Sequence, residues 1–385
     1  MAVSMKPQTI VIAAGGTGGH FFPAEALADA LVARGHHIVL MTDARAGKRT
    51  SGVFANAPQF VLRGAGVAGR GPIRALRAGI TLLASAWKAR GILHTLQPDA
   101  VIGFGGYPSI PPLLGARLLG RRHPALIIHE GNAVLGKANA VLSRFADVIA
   151  TSFPTVAKLP MGARTVLTGM PVRPGIAALA GEAWPTPNGT INLLVWGGSL
   201  GARIFSQVVP AAISRLPAAL RARIHITQQA RADDVDTVRK AYADIGVQAR
   251  VEPFLNDVPD ILRAAHLVIG RAGGSSVAEI TTAGRPALMV PLPIAASDEQ
   301  TENARAITDA GAGWMIRQPD FTAQTLATRL QDLFTAPDDL ARAAAAAATL
   351  ARPDAALRLA DIVEECLQLS PSPAHPPSHE TETRT

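Results

Sequence analysis

What most constrains this chain is a unit that occurs twice. Thr9 to Ala14 is a continuous apolar run rich in β-branched residues. Gly15-Gly16-Thr17-Gly18-Gly19-His20 follows, then a helical stretch from about Pro23 to Arg34, closed by Gly35, and a second strand from His37 to Met41. Strand, glycine loop, helix, strand is a βαβ unit. Strands apolar on both faces belong inside a parallel sheet covered by helices. Ala100 to Phe104, Ala125 to His129 and Val148 to Thr151 continue the series. The order restarts with the strand Ile191 to Trp196, the glycine loop Gly197 to Ala202 and a helix from Arg203 to Leu216. Strands at Arg223 to Thr227, Ala249 to Pro253, Leu267 to Ile269 and Ala287 to Val290 complete it. The expected fold class is α/β: two doubly wound Rossmann-like domains facing a cleft, a glycine loop at the head of each.

A length of 385 residues suits two such domains with room for more, at about 150 residues each. The proline-bearing stretch Pro171 to Thr190 is the natural linker, dividing 1–172 from 173–350. Residues 351–369 read as a last helix. Residues 370–385 hold four prolines without apolar periodicity and read as a disordered tail. Hydrophobic residues make up 48% of the chain, enough for full cores, which excludes a wholly disordered chain. A single cysteine, Cys366, excludes an intramolecular disulfide framework and a cysteine-cluster zinc site. Met1 to Gln8 lacks the apolar segment of a signal peptide, and the uncharged stretch Ala100 to Ala116 is broken by Pro108, Pro111 and Pro112. A soluble or peripheral protein is therefore expected.

Glycine loops at the carboxyl ends of parallel strands let backbone N–H groups approach phosphate oxygens, helped by the helix that follows. The loop Gly15–His20 fits neither common nucleotide motif. A dinucleotide fingerprint needs glycine where Phe21 stands, and a P-loop needs lysine where His20 follows Gly19. An NAD-dependent dehydrogenase is disfavoured for that reason, and a plain tight turn competes with the anion-site reading. The loop Gly197 to Arg203 has the same logic, with Ser199 as a hydroxyl donor. A third stretch, Arg271-Ala-Gly-Gly-Ser-Ser-Val-Ala-Glu279, opens another helix. Its Gly273, Gly274, Ser275 and Ser276 offer anion-binding N–H groups, and Glu279 suits a ribose diol, with a solvated first-turn carboxylate as the plain alternative. His129, Glu130 and Asn132 follow a buried-looking strand. The dense aspartates Asp233, Asp234 and Asp236 read as a solvated face, so no metal site is expected.

The formal net charge of +8 calls for an acidic partner. Between Asp43 and Asp99 there is no acidic residue, while Arg63, Arg70, Arg74, Arg77, Lys88 and Arg90 are among the basic ones. Within that interval Ile73, Leu76, Ile80, Leu83 and Trp87 recur at three- to four-residue spacing. A basic amphipathic helix reads as a membrane-surface element, against the alternative of a core-facing helix with a basic solvated side. No aromatic platform accompanies the charges, which argues against nucleic acid.

Taken in order, GGTGGHFFPA (15–24), GFGGYPS (103–109), IHEGNAVLGKAN (128–139), TGMPVR (168–173), WGGSLGAR (196–203), RAGGSSVAE (271–279) and DEQTENA (298–304) resemble the MurG-type family of bacterial peptidoglycan N-acetylglucosaminyltransferases. The resemblance implies a GT-B enzyme, a hexosyltransferase that needs no cofactor. It would transfer GlcNAc from UDP-GlcNAc, with inversion, to the C4 hydroxyl of MurNAc on undecaprenyl diphosphate, turning lipid I into lipid II. It implies donor contacts from Arg173, Ser199, Leu255, Gly273, Gly274, Ser275, Ser276, Glu279 and Gln300. Leu255 would grip uracil through its backbone, Glu279 the ribose and Gln300 the sugar hydroxyls. Thr17, Gly18, Gly19, His20 and Asn132 would close the cleft from the other side, and Gly15, Gly16 and His20 would meet the acceptor diphosphate. The base would be His20 or Glu130, with His20 alternatively clamping the diphosphate as imidazolium. The last helix, roughly Pro353 to Leu367, would return to the first domain. An anionic membrane at the cytoplasmic face of the inner membrane, met peripherally through Arg70, Arg74, Arg77 and the apolar stripe, completes the expected partners. Gly131 stands where the family usually has glutamine, Glu299 where it often has histidine or glutamine, and Ser275 and Ser276 where it is often more apolar. A UDP-GlcNAc 2-epimerase of the same architecture and a non-enzymatic peripheral membrane protein are the rival readings.

Overall fold

A computed structural model of the protein describes residues 6–15, 18–44, 47–62, 72–120, 123–198, 201–293 and 298–369, with the side chains of 72–78 outside the described set. The tail 370–385 therefore lies outside the described residues. The first sheet is built from β1 (Thr9–Ala13), β2 (His37–Asp43), β3 (Gln59–Leu62), β4 (Ala100–Gly103), β5 (Ala125–Glu130), β6 (Val148–Thr151) and β7 (Thr165–Leu167). Its spatial order is β3-β2-β1-β4-β5-β6-β7, and every pairing is parallel, with Ile10 opposite Ile38 and Ala100. The second sheet is built from β8 (Ile191–Trp196), β9 (Ile224–Gln229), β10 (Gln248–Glu252), β11 (Leu267–Gly270), β12 (Ala287–Met289) and β13 (Gly313–Met315). It is also parallel, in the order β10-β9-β8-β11-β12-β13.

Alternation along each strand decides which helices cover which face. Ile10 and Ile12 of β1 pack with Leu27 and Leu31 of the helix Gly18–Ala33 and with Leu359 and Val363 of the last helix, Ala355–Leu369. Val11 and Ala13 face the other way, onto Leu93 of the helix Pro72–Leu96 and Leu113 of the helix Gly106–Arg117. The second sheet repeats the device, with Leu193 and Val195 toward Phe205 and Val209, and Leu194 toward Val268 and Met289. That last cluster also takes in Ala133, Leu135, Phe153 and Val156 from loops of the first sheet, so an apolar seam joins the two halves. Among the described residues no helix is long and apolar enough to cross a membrane.

In both sheets the order reverses between two adjacent strands, β1 and β4 in the first, β8 and β11 in the second. Open α/β sheets bind ligands outside the carboxyl ends of strands at that switch point. The carboxyl ends of β1, β4, β8 and β11 are followed by Gly15, Gly105 and Gly106, Gly197 and Gly198, and Gly273 and Gly274. The topology thus gathers the glycines that follow these four strands at the two switch points.

Candidate active site

From the first half, the helix Gly18–Ala33 starts inside the glycine loop rather than at Pro23, so His20 sits in its first turn. Gly15 is buried after β1, where an added Cβ would stand 3.1 Å from Pro108 and from the Asp43 carboxylate. Gly16 and Thr17 lie outside the described residues. The half-buried imidazole of His20 lies beside the turn after β4, its ring 3.6 Å from where a Cβ of Gly105 or Gly106 would be. That is ordinary van der Waals spacing; it is the backbone, at φ +83° and +67°, that favours glycine at both positions. Burial pushes the His20 pKa below its ordinary 6.5, against the pull of a hydrogen bond to the Phe104 backbone. The imidazole is thereby neutral at pH 7 and able to take a proton.

Glu130 ends β5 and is only 2% exposed. Its Oε1 accepts from the Asn132 backbone N–H at 3.0 Å and from Asn132 Nδ2 at 3.2 Å. Its Oε2 accepts from the Gly136 N–H at 2.8 Å and from Asn139 Nδ2 at 2.9 Å. A carboxylate has about four lone-pair sites, and these donors occupy them. Burial raises its pKa while the four hydrogen bonds hold it down. This geometry makes Glu130 the organiser of the loop that carries Asn132. The neighbouring His129 is buried, donates from Nε2 to the Gly169 carbonyl at 3.1 Å, and has its pKa pushed down to about 4, chiefly by burial.

From the second half, Gly273 precedes the helix Gly274–Thr282, whose first-turn N–H groups at Gly274, Ser275 and Ser276 have no intrahelical acceptor. That end meets the first half directly. Ser275 Oγ donates to the Gly19 carbonyl at 2.7 Å, and a Cβ on Gly274 would fall 1.9 Å from the Gly131 carbonyl oxygen. Glu279, 5% exposed, is not a solvated carboxylate: Arg173 grips it in a two-pronged ion pair, Nε to Oε1 at 2.9 Å and Nη2 to Oε2 at 3.0 Å. Burial raises the Glu279 pKa and Arg173 opposes it. The guanidinium also lies 5.1 Å from the Phe22 ring, placing Arg173 between the halves. Gln300 is held by its carbonyl, which accepts from the Ala272 N–H at 3.2 Å and the Leu292 N–H at 3.0 Å, and among the described residues its Nε2 has no acceptor. Leu255 is buried beside the exposed Phe254. Ser199 lies outside the described residues.

A cavity of about 220 Å³ is bordered by His20, Gly105, Gly106, Glu130, Asn132 and Glu299. A larger one, about 500 Å³, lies on the β6–β7 side of the same junction, and of the expected site residues only Gly274 borders it. Of the expected site residues, His20, Glu130 and Asn132 border the smaller cavity, where the helices Gly18–Ala33 and Gly106–Arg117 begin. The expected membrane residues stand apart on the helix Pro72–Leu96. Ile80, Leu83 and Trp87 are 58%, 63% and 64% exposed, so the stripe does not face the core there. Ile73, Arg74, Leu76 and Arg77 fall early in that helix with side chains outside the described set, and Arg70 lies outside the described residues. Phe22 and Asn303 escaped the sequence reading. Asn303 stands one turn after Gln300 in the same polar motif, which was the available signal.

Residues 10–151 match the glycosyltransferase family 28 N-terminal domain and residues 192–359 its C-terminal domain. The chain is 58% identical to the UDP-N-acetylglucosamine–N-acetylmuramyl-(pentapeptide) pyrophosphoryl-undecaprenol N-acetylglucosamine transferase of Gluconobacter oxydans, over 93% of this chain and 99% of that one. It is 57% identical to the protein of the same name from Granulibacter bethesdensis, over 94% and 95% of the two chains. The crystal structure of Acinetobacter baumannii MurG superposes with a TM-score of 0.74 at 31% identity, covering 93% of this chain and all of that one (100%). A putative UDP-N-acetylglucosamine 2-epimerase from Listeria monocytogenes has a TM-score of 0.66 at 14% identity over 96% and 99% of the chains, a likeness of fold alone. With its two parallel sheets in the GT-B arrangement, the chain belongs to the MurG-type family of UDP-GlcNAc-dependent N-acetylglucosaminyltransferases.

Proposed function

We propose that this protein transfers GlcNAc from UDP-GlcNAc to the C4 hydroxyl of MurNAc in undecaprenyl-diphospho-MurNAc-pentapeptide, converting lipid I to lipid II for peptidoglycan synthesis. The observation that carries this reading is the 58% identity, over 93% of this chain and 99% of the other, with a transferase so named. The site offers matching chemistry. Inversion needs one direct displacement at the anomeric carbon, and the attacking hydroxyl must lose its proton as the bond forms. A neutral His20 at the cavity wall takes that proton and becomes imidazolium. UDP leaves on the opposite side with its negative charge growing. The first-turn N–H groups of Gly274, Ser275 and Ser276, with Ser199, meet the diphosphate. Glu279 receives the ribose hydroxyls, its carboxylate oriented by the two-pronged contact with Arg173. Leu255 reads uracil through its backbone, and Gln300 donates from Nε2 to a sugar hydroxyl. Glu130 acts through Asn132, which closes the cleft beside Gly18 and Gly19. Gly15, Gly16 and His20 border the acceptor diphosphate.

The same reading places the protein peripherally on the cytoplasmic face of the inner membrane. Ile80, Leu83 and Trp87 are turned to solvent on a helix within a stretch free of acidic residues, and Arg90 lies 5.1 Å from the Trp87 ring. Exposed apolar residues among basic ones suit an anionic bilayer surface. The direct test of the function is mass detection of lipid II from purified protein, UDP-GlcNAc and lipid I.

A further inference from the structure

Asn303 lies in the helix Glu299–Asp309 and is completely buried, at 0% exposure. A buried amide is retained at a cost unless its polar atoms find partners. Those of Asn303 find them on both sides of the cleft. Its Oδ1 accepts from the Ala133 N–H at 2.7 Å, and its Nδ2 donates to Asn132 Oδ1 at 3.0 Å; both partners belong to the loop after β5. The second Nδ2 hydrogen goes to the Ala272 carbonyl at 2.9 Å, at the end of β11. One amide thus ties the acceptor-side loop to the donor-side loop that opens the helix Gly274–Thr282.

Neither end of the tie is loose. Asn132 is oriented by Glu130, which accepts from both its backbone and its side-chain nitrogen. That fixes Asn132 Oδ1 as the acceptor left for Asn303. On the other side Gln300, one turn earlier, accepts from the Ala272 N–H while Asn303 donates to the Ala272 carbonyl. The helix Glu299–Asp309 therefore holds residue 272 by both its peptide groups. A chain of hydrogen bonds runs from the buried carboxylate of Glu130 through Asn132 and Asn303 to the strand end that leads into Gly273.

We propose that Asn303 is a positioning residue for the transfer reaction: it clasps the two halves so that the acceptor hydroxyl and the anomeric carbon meet at reacting distance. This rests on the transferase reading above. The clasp touches no reacting atom and bears no charge. Its effect is on alignment, and misalignment of the order of 1 Å can cost about 10²-fold in rate.

The test has two arms. In the first, kcat is measured for Asn303→Ala, Asn132→Ala and the double variant, with separate titrations of UDP and UDP-GlcNAc by calorimetry. The clasp predicts that Asn303→Ala lowers kcat by about 10- to 100-fold, with both donor affinities changed less than about threefold. It also predicts that the double variant is no slower than the worse single one, because both remove the same link. Loss of UDP-GlcNAc affinity with UDP affinity spared would make Asn303 a sugar ligand and overturn the clasp, as would fully additive losses. The second arm needs no activity. Spin labels on Met161→Cys and Lys240→Cys, one exposed site in each half, report the distance between the domains. Asn303→Ala should broaden and lengthen that distribution, and Asn303→Asp, which keeps the shape but turns acceptors toward the Asn132 and Ala272 oxygens, should do the same. An unchanged distribution in both variants overturns the clasp even if lipid II forms. A wild-type protein that makes no lipid II overturns the transferase reading alone.

Discussion

At the scale of single residues, the site is a set of polar groups whose states are set by burial and partners. His20 is neutral because its surroundings resist the imidazolium. As a base it must be unprotonated to act, and its pKa lies below 6.5. The rate should therefore hold as pH falls to about 6.5 and drop only below that value. An acid limb of kcat/KM centred above 6.5 would count against the assignment. His20→Ala should lower kcat by about 10² to 10⁴ with little change in acceptor KM. A large rise in acceptor KM instead would indicate a diphosphate clamp. Glu279→Ala should weaken UDP binding by roughly 1–3 kcal/mol, since ribose hydroxyls lose their acceptor and Arg173 its partner; calorimetry giving equal affinity would refute the role. The residue types at this site were legible in the sequence, because glycines, a histidine and carboxylates at strand ends announce themselves. Their pairings were not. Arg173 and Glu279 are separated by 106 positions, and only the fold reveals that they share one ion pair. The four donors around Glu130 were equally invisible, since they come from the loop after β5 and from the short helix Lys137–Leu142, whose paths the sequence does not specify.

At the scale of elements, the helix Pro72–Leu96 shows how periodicity can mislead. Reading its large apolar residues as a core stripe would bury Ile80, Leu83 and Trp87, yet all three are exposed. The buried face is made instead by Ala86, Ala89 and Leu93 against the helix Gly106–Arg117. Small residues let the two backbones approach. A Cβ on Gly115 would stand 2.7 Å from the Ala86 carbonyl oxygen and 2.8 Å from the Arg90 nitrogen. Gly115→Ala should therefore destabilise the protein by about 1–3 kcal/mol, read as a lower midpoint in chemical denaturation. An unchanged midpoint would mean that the helices separate freely. Ile80, Leu83 and Trp87, turned outward, are the residues that would meet a bilayer. Replacing Arg70, Arg74 and Arg77 by Glu should release the protein from anionic vesicles while UDP binding persists, each basic residue being worth about 1 kcal/mol near such a surface. Vesicle binding that survives the triple change would contradict the docking. Edge strands were the other blind spot. β7 and β13 are three residues each, too short for an alternating pattern to register, whereas the buried central strands read directly as apolar runs.

At the scale of the whole molecule, two sheets of like topology bring two switch points to one junction. The first contributes His20 and the loop of Asn132; the second contributes the amide end of the helix Gly274–Thr282, Glu279 and Gln300. The doubled strand–glycine–helix unit made this architecture legible from sequence. The contacts that fix the halves against each other, Ser275 to Gly19 and Asn303 to Asn132 and Ala133, depended on the folded arrangement. Since helix N-termini are available to meet the leaving diphosphate, turnover should persist in excess EDTA. The most direct measurement incubates the purified protein with UDP-GlcNAc and lipid I in EDTA and follows products by mass spectrometry. The transfer reading predicts lipid II and UDP in equal amounts, with no UDP released when lipid I is withheld. Release of UDP with free N-acetylmannosamine in the absence of lipid I, or intact substrates throughout, would contradict it.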